Sequence, residues 1–154
     1  MDTSETYKKS IVSLLEPFEQ IEQVKWYEDP IYIKMCKKAD EIQREWKPQN
    51  GDFYYFCQGV LVANVHQESL QEAFGDDYQH LIWLPRQDQL QDMIDSIETP
   101  ARIIWCVGCW CNHNKYAGAF RSMEQVWLAF VMFSLYHKKW SNGEWQQVKV
   151  EVKV

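Results

Sequence analysis

No apolar run in this chain approaches the ~18 residues that a membrane helix needs, so a membrane partner is not expected. No basic stripe is present either. Lys and Arg pair up only at Lys8-Lys9, Lys37-Lys38 and Lys138-Lys139, and the net charge is −6. Non-specific nucleic-acid binding depends on cations that neutralise phosphates, so it is not expected here. No strand–helix alternation carries a Gly-rich phosphate loop, which leaves a Rossmann or P-loop nucleotide site without support. The opening Met1-Asp2-Thr3-Ser4-Glu5 is acidic and polar, unlike the basic and apolar regions of a secretory signal. The expected location is therefore the cytoplasm in which the chain is made. In that reducing compartment the five Cys, an odd number, are expected as free thiols.

What the chain has in abundance is aromatic: eight Trp, eight Tyr and seven Phe. Trp is large and carries an N–H that needs a partner, so some of these rings are expected at an interface or in a pocket and the rest in the core. The 154 residues, 46% apolar and 25% charged, fit one globular domain able to bury a core without metals or disulfides.

Ile11, Leu14, Leu15, Phe18, Ile21 and Val24 predict a helical face over 5–27, interrupted by Pro17. Asp29-Pro30 reads as a helix start. Ile31, Met35, Ala39, Ile42 and Trp46 form the next helical stripe. After the turn signal Gln49-Asn50-Gly51-Asp52, the runs 53–57 and 60–65 read as a hairpin or two strands. A short helix ended by Gly75 follows, then a strand at 80–84 and a helix over 86–97. Residues 102–107 read as another strand, and 108–118 as a loop or strand extension. Ser122-Met123-Glu124-Gln125 matches a capping box, and the helix it opens, 122–138, is apolar nearly all round and should be the most buried. Asn142-Gly143 supplies a hairpin turn, and the alternating valines 148–154 a half-buried strand. The expected fold is α+β: a mostly antiparallel sheet of four to six strands, with a helical portion 1–46 packed on a core 47–154.

Four strings carry a resemblance. They are Glu45-Trp46-Lys47-Pro48-Gln49-Asn50-Gly51-Asp52-Phe53, Trp83-Leu84-Pro85-Arg86-Gln87-Asp88-Gln89-Leu90, and Met123-Glu124-Gln125-Val126-Trp127-Leu128-Ala129-Phe130-Val131-Met132 with the later Trp140-Ser141-Asn142-Gly143-Glu144-Trp145. Together they resemble a family of small uncharacterised proteins encoded by bacteriophages and prophages of Gram-positive bacteria. The resemblance runs from about Ala39 to Trp145 and departs at 1–38 and 101–118. It implies a genetic context and carries no activity or functional residues.

The candidate sites are few. Cys106-Val107-Gly108-Cys109-Trp110-Cys111-Asn112-His113 is the most metal-like segment. Extended backbone would put Cys109, Cys111 and His113 on one face and Cys106 on the other, whereas a turn at Gly108 would let Cys106 and Cys109 converge in the C-x-x-C manner. No second C-x-x-C or H-x-x-x-H pair completes a zinc site, so no metal or other cofactor is expected. A Cys109 or Cys111 nucleophile with His113 or His137 as base is a weaker alternative. Arg86-Gln87-Asp88, at a strand-to-helix junction, offers an anion site, or simply a helix-dipole carboxylate with a paired Arg. Trp105, Trp110 and Tyr116, with Arg102 and Arg121, suggest an aromatic and cationic binding surface. The expected function is a non-enzymatic phage accessory protein that binds and interferes with a host or antiviral-defence component. Its partner would be a host protein or a small anionic nucleotide-derived ligand, and a homo-oligomer is compatible. The competing expectations are a small hydrolase or nucleotide-processing enzyme, and a virion or replication assembly protein.

Overall fold

The computed structural model describes residues 24–63, 67–94, 99–115 and 119–149. The fold is α+β, but its strands form two small antiparallel sheets, of three and two strands, instead of one larger sheet. Most of the expected helix over 5–27 lies outside the described residues. At its end, Trp26–Glu28 is a 3-10 turn.

Helix α1 spans Pro30–Lys37 and starts as expected. Asp29 Oδ1 accepts from the Ile31 amide at 2.8 Å, and Pro30 fills the first turn, where its missing N–H costs nothing. The expected single helix to Trp46 is broken. The chain leaves helical geometry at Ala39 and resumes as α2, Asp40–Glu45. Of the expected core stripe, Met35, Ala39 and Ile42 are buried and Trp46 is half-buried, while Ile31 is exposed and Tyr32 takes its place; Cys36 is buried beside them. The Tyr32 hydroxyl donates to the Pro85 carbonyl at 2.6 Å inside the core, which ties α1 to the segment after the third strand.

Strands β1 (Phe53–Phe56) and β2 (Gly59–Val62) form the expected hairpin, with Phe53 opposite Val62 and Phe56 opposite Gly59. Its two turn residues, Cys57 and Gln58, both have positive φ, the requirement of a two-residue hairpin turn that glycine usually meets. Helix α3 (Gln67–Phe74) ends at Gly75, φ +52°, as the sequence predicts. A 3-10 segment, Gly75–His80, leads into β3 (Ile82–Leu84), which pairs with the other side of β1 to give the order β2-β1-β3. The outer edge of β3 is closed by a side chain. The Gln43 amide accepts from Trp83 N at 2.8 Å and donates to Trp83 O at 3.0 Å, as a neighbouring strand would.

Helix α4 spans Gln87–Asp92 and is shorter than the helix expected over 86–97: Met93 caps it and Ile94 lies in a turn, while residues 95–98 lie outside the description. Helix α5 spans Pro100–His113. It replaces both the expected strand at 102–107 and the start of the expected loop after it. Helix α6 (Met123–Tyr136) is the centre of the fold: Gln125 and every residue from Trp127 to Met132 are buried. Its start is a variant of the expected box. Ser122 Oγ accepts from Gln125 N at 3.2 Å, while Gln125 Oε1 accepts from Arg121 N, one residue before the cap, at 2.8 Å. Gln125 Nε2 also donates to Asp29 Oδ2 at 3.0 Å, so the caps of α1 and α6 share one buried amide. Strands β4 (Lys138–Ser141) and β5 (Glu144–Gln147) close on Asn142-Gly143, both at positive φ, with Trp140 opposite Trp145. Val148 and Lys149 follow β5 without extending it, and 150–154 lie outside the described residues.

Candidate functional site

Helix α5 is built by Thr99-Pro100 at its start and by Ile103, Val107 and Trp110 at spacings of four and three. Those three are its buried residues, docked toward α6. The Trp110 ring meets Phe130 edge-on at 5.5 Å and tilts against Phe133 at 5.8 Å. The opposite side faces solvent. Ile104 is 68% exposed and Trp105 72% exposed, and Cys106 and Cys109 are exposed beside them. Between Arg102 and His113 the helix carries no Asp, Glu, Lys or Arg. Water therefore meets a surface that is apolar and thiol-bearing for more than two turns.

This geometry sorts the residues singled out from the sequence. Arg102 and Trp105 lie on the outer surface of α5. Trp110 is five residues from Trp105, about 140° away around the helix, and buried. The structure thus separates the two rings instead of facing them across one pocket. Arg121 is exposed at the start of α6, and Tyr116 lies outside the described residues. The helix also regroups the cysteines. Cys106 and Cys109, three apart, become surface neighbours, while Cys111 turns to a half-buried position where burial pushes its thiol pKa up.

Arg86 sits in a polar clamp. Its guanidinium donates to both Asp88 oxygens, at 3.0 and 3.1 Å, and to Gly51 O at 3.2 Å, and lies 3.5 Å from Asp52 Oδ1. Asp52 is buried and accepts from Trp46 Nε1 and Gln49 N, both at 2.9 Å, and from Gln89 Nε2 at 2.6 Å. The Arg86 hydrogen bond holds the Asp88 carboxyl below its usual range, against a smaller opposing effect of burial. The Trp46-to-Asp52 and Trp83-to-Gln89 strings thus meet around one carboxylate. Its acceptor sites are filled by this chain's own donors, so the clamp fastens the strand-to-helix junction to the loop before β1. This convergence was not visible in the sequence, where the strings lie some thirty residues apart and nothing marks Asp52 as buried.

Two open grooves flank the 3-10 segment Gly75–His80. One, about 570 Å³, is lined by Asp40, Gln43, Arg44, Trp46 and Tyr78. There the Trp46 ring stacks in parallel with Tyr78 at 6.4 Å and with Trp83 at 6.3 Å. The other, about 650 Å³, has Lys37, Cys57, Asp77 and His80 along its wall. Among the described residues no three His, Cys, Asp or Glu side chains gather to hold a metal ion. No helix of the described residues is long and apolar enough to cross a membrane. No protein-family model, curated protein or solved structure shows significant similarity to this chain.

Proposed function

We propose that this protein acts by binding a protein partner, without catalysis, and that the outer surface of α5 is the contact. The carrying observation is the exposed Ile104-Trp105 pair on a helix whose middle bears no charge. Exposing a large aromatic and a β-branched side chain together forgoes several kcal/mol of burial, and such patches mark interaction surfaces. Trp is also the residue type most enriched at binding hot spots. The resemblance of the Trp46, Trp83 and Met123 strings to phage and prophage proteins supplies the context: an accessory protein that interferes with a host or antiviral-defence component in the host cytoplasm. A small anionic nucleotide-derived ligand is the less supported partner, because Trp105 and Trp110 do not share a pocket. The exposed Trp105 surface also suits an assembly partner from the virion or replication machinery, and the identity of the captured protein separates these two.

The test is a photo-crosslinking residue placed at position 104 in the full chain, expressed in host cells. The captured protein is identified and titrated against wild type and Trp105→Ala. A hot-spot Trp should cost at least ~2 kcal/mol, roughly thirtyfold in affinity. Unchanged affinity in Trp105→Ala, with the variant folded, moves the interface off α5.

A further inference from the structure

We propose that Cys106 and Cys109 form a solvent-facing dithiol on α5 that binds one soft, thiophilic cation of the cuprous class through two thiolates. This goes beyond the partner-binding reading and does not depend on it. Both cysteines are exposed and both lie inside one uninterrupted helix. Residues three apart on a helix are surface neighbours, with Cβ atoms about 5–6 Å apart.

Three chemistries compete for such a pair, and geometry separates them. A disulfide needs its Cβ atoms about 3.5–4.5 Å apart, so closing one here would distort α5 beside Val107, one of its three buried anchors. A structural zinc ion takes four ligands, and no third His, Cys, Asp or Glu joins this pair among the described residues. A soft monovalent ion accepts two thiolates in a near-linear arrangement. Two metal–sulfur bonds of roughly 2.3 Å placed end to end span about 4.6 Å, a gap that two Cβ atoms 5–6 Å apart bridge from staggered rotamers. Thiolate ligands also select this class of ion over harder cations. Binding releases one proton from each thiol and changes no oxidation state. No further ligand joins the two sulfurs among the described residues, so the site depends on both.

The experiment uses the full chain under anaerobic, thiol-free reducing conditions, with cuprous ion supplied as its bicinchoninate complex. Wild type should withdraw one equivalent of copper and develop ultraviolet thiolate-to-copper absorption. Cys106→Ser and Cys109→Ser should each lower the affinity at least a hundredfold, with far-ultraviolet circular dichroism unchanged because both side chains are exposed. Cys57→Ser and Cys111→Ser should bind as wild type does. Phenylarsine oxide provides a second readout: its As=O condenses with two thiols, forms two As–S bonds and releases one water. Intact mass should show one such adduct in wild type and none in the Cys106→Ser/Cys109→Ser double variant. The proposal fails if wild type takes no copper from bicinchoninate. It fails equally if copper affinity survives in both single variants, or the arsenical adduct in the double one. Trp105→Ala should leave copper binding intact, so failure of the partner surface and failure of the dithiol are read separately.

Discussion

Asp52 concentrates more of this protein's polar stability than any ion pair on its surface. It is buried, yet three side-chain and backbone donors reach it, with Arg86 nearby. Removing the carboxylate takes the acceptor from all three part-buried donors, whereas removing Arg86 leaves them satisfied. Asp52→Ala should therefore cost about 3 kcal/mol or more, and Arg86→Ala, about a third exposed, roughly 1 kcal/mol or less. Urea denaturation of both variants checks this, and equal losses would show that the carboxylate is not the centre of the clamp. The cysteines divide just as sharply. Cys57, Cys106 and Cys109 are exposed, Cys111 is half-buried, and Cys36 is enclosed, with burial pushing its thiol far up despite the opposing contact with Tyr32. A thiol reagent should modify the first three quickly in the native protein, Cys111 slowly, and Cys36 only as the chain unfolds. Mass mapping of each site against time checks the order, and rapid native labelling of Cys36 would contradict its burial.

At the scale of the element, α6 and α5 show what local pattern conveys and what it does not. The Ser122 cap and the unbroken apolar run from Trp127 made α6 legible as the central helix, since no other element could bury residues on every side. Trp127→Ala should cost roughly 3–5 kcal/mol in the same denaturation experiment. The Asp29-Pro30 start, the Gly75 stop and the Asn142-Gly143 turn were legible too, because each is a backbone requirement met by a residue type. Helix α5 was not. Arg102-Ile103-Ile104-Trp105-Cys106-Val107 has strand-forming composition, and only the longer spacing Ile103, Val107, Trp110 reveals the helix that tertiary packing selects. The strand reading put Cys106 opposite Cys109, and only the alternative of a turn at Gly108 brought them together; the helix joins them without a turn. The consequence for mutation is a contrast between two tryptophans. Trp110→Ala, emptying a buried place against Phe130, should cost roughly 3–5 kcal/mol, while Trp105→Ala should stay within ~0.5 kcal/mol. Similar melting losses in the two variants would show that Trp105 is covered by this chain.

On the scale of the whole molecule, helices α1 and α2 and the C-terminal hairpin are fastened to each other by contacts that span 97 to 110 residues of sequence. Trp145 Nε1 donates to Met35 O at 3.0 Å, Lys38 pairs with Glu144, and Lys138 pairs with Glu41. The last pair is the one with a pH signature, because its side chains are only 18% and 26% exposed, Glu41 being the more covered. Burial pushes the Glu41 carboxyl up, but the Lys138 hydrogen bond, a backbone hydrogen bond and the charges of Lys138 and Arg44 together hold the group below its ordinary value of 4.5. A carboxyl depressed in the folded state stabilises fully above its unfolded pKa, and loses that contribution as pH falls through the folded value. Wild type should therefore weaken toward acid, with this pair contributing below the usual carboxylate range. Lys138→Met shifts this balance. The Glu41 Oε2 atom already lacks a hydrogen-bond partner, and without the ammonium its neighbour Oε1 loses its cation as well. Burial is then opposed only by a backbone hydrogen bond and Arg44, so the pKa rises and the charged form becomes costlier than in wild type. The variant should lose about 1–3 kcal/mol at neutral pH and lose less, relative to wild type, as the solution is acidified. Denaturation midpoints of the two proteins between neutral pH and the acid limb measure the difference, which should narrow steadily with falling pH. A constant gap across that range would mean that Glu41 does not sense Lys138, and that the hairpin is held to the helices by Trp145 and packing alone.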